Sequence, residues 1–183
     1  LKGDLGDGGA ALAADLQNVS APGEPGRLIA VVFNDVDDAL SSHEATVLNE
    51  RTFANASTAF RLAMVAAVEK GWTIVVTADH GESLGDHNYF FEHGRFPYDD
   101  CVHVSLIFRG PGAGKAGDVV RSPVELIDLA PTLLDLPGLP ANREAEGKSL
   151  RRLLAGERAG ENLWRQLRAQ SQLGVTHGTY QPV

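Results

Sequence analysis

One cysteine, Cys101, stands in 183 residues, so no disulfide can form within the chain and the redox compartment is not legible from thiol usage. No apolar run approaches the roughly 20 residues that a membrane-spanning helix needs. No secretory leader is visible either. The chain opens on Leu1 rather than Met, which leads us to expect an N-terminus cut from a longer chain and leaves a cytoplasmic or a periplasmic location equally open. Positive charge is the scarcer sign, with 16 Lys and Arg against 24 Asp and Glu and a formal net charge of −8. A nucleic-acid surface needs clustered Lys and Arg, so the balance argues against that class. A small anionic substrate fits only where local cations or a metal reverse the field. The glycines near the start, Gly3, Gly6, Gly8 and Gly9, form neither a GxGxxG nor a P-loop pattern.

What is present is an ordinary globular composition, 43% hydrophobic and 22% charged. A chain of this length can bury roughly 70% of its unfolded surface. Its organising stretch is residues 73–93, TIVVTADHGESLGDHNYFFEH. The β-branched run Ile74, Val75, Val76 followed by turn residues reads as a buried parallel strand. In open α/β sheets, ligands bind beyond the carboxyl ends of such strands. Asp79 and His80 fall there, with Gly81 for a sharp turn. A carboxylate beside an imidazole on a rigid base suits a divalent metal. A bare Asp-His pair reads equally as a polar strand cap.

Earlier in the chain, residues 1–27 are loop-rich in Gly, Ala, Asp and Pro. Residues 28–33, LIAVVF, form a second strand candidate that runs into Asp35, Asp37 and Asp38, with His43 five residues after Asp38. Clustered carboxylates repel unless a cation or water screens them, so this is either a second ligand group or a solvated acidic loop. Residues 49–70 predict a helix with Phe53, Ala56, Phe60, Met64, Val65 and Val68 on its core face and Gly71 as its C′ residue. Residues 28–78 are then a β-α-β unit with parallel strands. Residues 104–108 predict a third strand. Ser122, Pro123 and Glu125 have the spacing of an N-cap, N1 and capping box, and Pro131 predicts an interruption or kink. Cys101 has no base beside it and reads as a small buried hydrophobe. Residues 157–183 read as a polar tail with an amphipathic piece around Leu163, Trp164 and Leu167.

The string TADHGESLGDH resembles the metal-binding segment of the sulfatase branch of the alkaline phosphatase superfamily. Residues 93–112 are similar to an H-G-x-x-x-Y-[DE]-[DE]-x-x-x-V-P-L-I string leading into R-x-P-G, with Ser105 in place of the usual proline. Residues 119–136 and 147–156 are similar to the family's D-[LI]-x-P-T-L-L and G-x-S-L-x-x-L-L-x-G segments. The resemblance runs over residues 28–156. It implies an α/β, alkaline-phosphatase-like fold, a mostly parallel sheet flanked by helices, incomplete at its N-terminus. It also implies that Asp79 and His80 are metal ligands. The spacing of Asp38 and His43 is similar to a ligand pair in phosphopentomutase-like members, so these two either join that metal or bind a second. His93 is implied to contact the substrate oxyanion or the metal. Arg95 either supplies the cation that family members often provide with Lys, or pairs with Glu92 or Asp99 on the surface.

The family's nucleophile string, C/S-x-P-x-R, is absent. Ser20 and Pro22 have the spacing, but Glu24 stands where Arg belongs. Three expectations follow. The first is a metal-dependent hydrolase of sulfate or phosphate esters acting on a small anionic ester, with the chain as the C-terminal part of a longer enzyme. The second is a non-catalytic pseudo-enzyme or partner-binding module, and the third a two-metal phosphatase or phosphomutase. A His beside the Asp leans toward zinc or manganese over calcium. Oligomeric state is not legible.

Overall fold

The computed structural model describes residues 28, 50–90, 92–157, 166–171 and 174–179. Two compact units divide the chain, Leu1–Ile74 and Val75–Val183.

The first unit is described mainly by one helix, α1 (Glu50–Glu69). Its end is a Schellman motif. Gly71, at φ 65°, donates its N–H to Val68 O (3.0 Å), and Trp72 N–H reaches Ala67 O (3.1 Å). Glycine is needed there because the left-handed region strains a residue that carries Cβ. The buried stripe differs from the expected one. Ala59 and Ala66 are buried at 0% and 2%, whereas Phe60, Val65 and Val68 are 40–45% exposed. The stretch is apolar nearly all round, so more than one 3.6-residue stripe can be drawn along it, and packing selects the face of small residues. Leu28 is 71% exposed. The rest of the expected 28–33 strand, and hence the proposed β-α-β unit, lies outside the described residues.

The second unit opens at Val75, inside β1 (Ile74–Thr77), which pairs with β2 (Leu106–Arg109) in a two-stranded sheet. Ile74, Val75 and Val76 are half-buried rather than fully buried. β2 alternates half-buried Leu106 and Phe108 with exposed Ile107, the signature of a strand with one covered face. Between them run a 3₁₀ turn at Asp86–Asn88 and a single helical turn, α2 (Asp99–Val102).

Beyond β2, a 3₁₀ turn at Leu126–Asp128 feeds α3 (Leu129–Asp135), and α4 (Arg151–Leu154) follows. The cap is Glu125, not Ser122. The Asp128 carboxylate accepts the Glu125 N–H at 2.9 Å and the Lys148 N–H at 2.8 Å. One buried carboxylate thus ties the helix start to a segment 20 residues on. That long-range partner moves the start past the local capping pattern. Pro131 produces no kink because it lies in the first turn of α3, where an N–H has no intrahelical acceptor to lose. A hairpin of β3 (Gln166–Ser171) and antiparallel β4 (Gly174–Thr179) lies in the stretch expected to be a polar tail.

Candidate active site

β1 ends at Thr77, and Asp79, His80, Gly81 and Glu82 follow at its carboxyl end. Gly81 is held there by its N–H to Cys101 O (2.7 Å). A Cβ on Gly81 would lie 2.0 Å from Asp100 O. Glycine is therefore required for close backbone approach to α2, rather than for the sharp turn expected from its place in the sequence.

The next ten residues close on themselves. Ser83, fully buried, donates its backbone N–H to Glu92 O (3.2 Å) and its hydroxyl to Tyr89 O (2.6 Å). Leu84 and Phe90 form an antiparallel bridge. The turn between them uses Gly85 at φ 124°, His87 at 59° and Asn88 at 57°. This loop carries His93 back to the end of β1. The His80 and His93 rings stack with centroids 3.8 Å apart and planes inclined by 15°.

Each of these rings has one nitrogen committed. His80 Nδ1 lies 2.9 Å from Gly81 O, and His93 Nδ1 lies 3.1 Å from Glu82 Oε2. His80 Nε2 is 3.9 Å from Asp79 Oδ1, whose carboxylate is 93% exposed and accepts the His80 backbone N–H at 3.1 Å. Metal bonds to imidazole nitrogen and carboxylate oxygen are about 2.0–2.2 Å long. Two donors 3.9 Å apart therefore lie within the span of one ion. His80 donates from Nδ1, so its Nε2 carries the lone pair a metal needs. Asp79 and His80 thus fit a divalent ion as a pair. Among the described residues no third His, Cys, Asp or Glu joins them in a cluster able to hold a metal. Asp38 and His43 lie outside the described residues.

Arg95 is exposed, with Cζ 5.4 Å from the Phe96 ring centroid, a cation–π contact. Among the described residues it forms no ion pair with Glu92 or Asp99. His87 stacks on Tyr98 at 4.2 Å, and His103 sits 3.7 Å from Asp99 on the surface. Cys101 is 4% exposed, and burial, with Asp100 next to it, pushes its thiol up to about 11. It is a core side chain, as expected. Burial, with the Glu92 carboxylate beside it, likewise raises the Tyr89 phenol. Glu82 and Ser83 were not singled out from the sequence. Their one signal is position, directly after a strand-end Asp-His-Gly.

Residues 85–168 match the family model of the N-sulphoglucosamine sulphohydrolase C-terminal region. Arylsulfatase K of Mus musculus is 36% identical over 105 residues, 57% of this chain and 18% of that protein. The N-acetylglucosamine-6-O-sulfatase of Bacteroides thetaiotaomicron is 38% identical over 92 residues, 50% of this chain and 16% of that one. Over these stretches the chain is similar to sulfatases of the alkaline phosphatase superfamily. Its fold agrees. The structure of BT4656 in complex with its substrate D-glucosamine-2-N,6-O-disulfate superposes with a TM-score of 0.55 at 24% identity, covering 78% of this chain and 34% of that one. The chain therefore has an α/β, alkaline-phosphatase-like fold, and its matches to the two curated relatives span under a fifth of their lengths. Sulfatases generally use a divalent metal.

Proposed function

We propose that this chain supplies the metal-holding and anion-facing side of a sulfate-ester hydrolase site. The observation that carries the reading is the strand end itself: Asp79 and His80 as a two-donor pair, with the His93 imidazole stacked 3.8 Å from His80. Asp79 and His80 would hold a divalent metal, zinc or manganese by the donor set. When bound, the metal supplies Lewis-acid polarisation of the ester oxygens. The chain's own residues would bind and orient the ester. His93, in its imidazolium form with Nδ1–H on Glu82, would donate from Nε2 to a non-bridging oxygen or pass that proton to the departing alcohol. Arg95 is exposed and carries a planar fork matched to a tetrahedral oxyanion. The surrounding net charge of −8 makes a cation such as the Arg95 guanidinium necessary for an anionic substrate. The relatives favour a sulfated sugar or aryl sulfate over a phosphate ester.

The test is hydrolysis of 4-nitrophenyl sulfate and 4-nitrophenyl phosphate by the whole chain, beside His93→Ala. Sulfate-ester turnover that falls about 10²–10³-fold in the variant is expected. Preference for the phosphate ester, or a variant as active as the parent, contradicts the reading. A second reading, a non-catalytic α/β module, is favoured by one observation, the absence of a C/S-x-P-x-R string from these 183 residues. Metal binding with no turnover of either ester would be its signature.

A further inference from the structure

We propose that Glu82 is a positioning residue for His93, fixing which ring nitrogen faces the substrate. A carboxylate can only accept hydrogen bonds, so Glu82 Oε2, 3.1 Å from His93 Nδ1, requires Nδ1 to carry the proton. The opposite nitrogen, Nε2, is then the one presented to a ligand. The contact is sheltered, with the Glu82 side chain 17% exposed and that of His93 29% exposed. Hydrogen bonds to an ionised partner in such surroundings are worth more than surface ones.

The same short stretch sets both stacked rings. Gly81 O commits His80 Nδ1 and Glu82 Oε2 commits His93 Nδ1, so both imidazoles take the Nδ1–H form, which leaves the lone pair on Nε2. Glu82 can impose this because its backbone has little room to shift. On one side Gly81 N–H is bonded to Cys101 O; on the other Ser83 is fully buried and bonded to Glu92 O and Tyr89 O. Among the described residues, Oε1 of Glu82 is buried without a hydrogen bond and Oε2 is bonded to His93, a contact that carries a desolvation cost a surface loop tie would not.

The catalytic consequence rests on the proposed hydrolase reading; the tautomer does not. The experiment is ¹⁵N NMR of the histidine rings in the whole chain at about pH 8.5, two units above the usual imidazole value. The parent is compared with Glu82→Gln, which keeps an acceptor, and Glu82→Ala, which removes it. His93 in the Nδ1–H form in the parent and in Glu82→Gln, but shifted toward Nε2–H in Glu82→Ala, is expected. Should Glu82→Ala fail to fold, Glu82→Asp withdraws the acceptor by one methylene and is expected to give the same shift. His93 in the Nε2–H form in the parent, or unchanged Nδ1–H in a folded variant without the acceptor, overturns the proposal. Where the parent turns over 4-nitrophenyl sulfate, kcat falls about tenfold or more in Glu82→Ala, with KM moving less and Glu82→Gln restoring most of the rate. Absence of turnover counts against the hydrolase reading and leaves the tautomer arm to decide this one.

Discussion

At Gly81 a single hydrogen atom in place of a methyl group keeps the site together. Alanine there would put Cβ 2.0 Å from Asp100 O, a backbone atom that cannot swing aside. Gly81→Ala should lower stability by about 1–3 kcal/mol in urea unfolding. It should also open Cys101, whose carbonyl is the Gly81 partner, to alkylation under native conditions. In the parent, the thiol held at about 11 by burial should resist iodoacetamide at pH 8 until the chain unfolds. The sign of its linkage follows. The unfolded thiol ionises near 9 while the folded one keeps its proton, so stability should fall as pH rises from 9 toward 11. In Cys101→Ser this alkaline loss should shrink. The Asp79-His80 pair was legible because it abuts a β-branched run. The Glu82–His93 contact was not, because 11 residues separate the partners. The Ser83 bonds to Tyr89 and Glu92 and the Leu84–Phe90 bridge reveal that the loop closes.

Among the elements, α3 and the stretch at 147–151 behave as one piece. Asp128 and Thr132, both fully buried, accept the backbone N–H groups of Lys148 and Leu150. A Cβ on Gly147 would meet Ile127 O at 2.0 Å. Asp128→Ala strands backbone donors in the interior and should cost about 2–3 kcal/mol, read from the shift in denaturation midpoint. At the other end of α3, the Ser149 hydroxyl (2.5 Å) and then the Arg151 guanidinium (3.1 Å) hold the Asp135 carboxyl below the usual range. A lowered folded value gives stability that is present above the ordinary carboxylate pKa and is lost as pH falls through the folded one. Ser149→Ala should therefore raise the Asp135 titration, followed by carboxyl ¹³C shifts, and flatten the acid limb of the stability curve. The end of α1 was legible because a glycine after an apolar run has one backbone reason to be there. The start of α3 was misplaced because Asp128 takes its second partner from 20 residues away, beyond any local capping rule.

For the molecule as a whole, the sulfatase resemblance and the fold were legible because strings such as TADHGESLGDH carry several chemical constraints at once. The sheet's wider composition was not, since a strand's neighbours depend on pairings that periodicity does not encode. The hairpin of β3 and β4 was missed for a related reason: QLRAQS has no β-branched or aromatic side chain, and GVTHGT carries two glycines, which weaken a strand signal. On the proposed reading, a chain of net charge −8 acting on an anionic ester needs a counter-charge at its site, and Asp79 and His80 at the end of β1 are the donor pair that would hold it. Metal content by elemental mass spectrometry, after loading with zinc, manganese or calcium, tests this most directly when run beside Asp79→Ala and His80→Ala. Near-stoichiometric divalent metal in the parent, lost in both variants, is the predicted result. Metal retained in folded Asp79→Ala and His80→Ala, or none in the loaded parent, would contradict it.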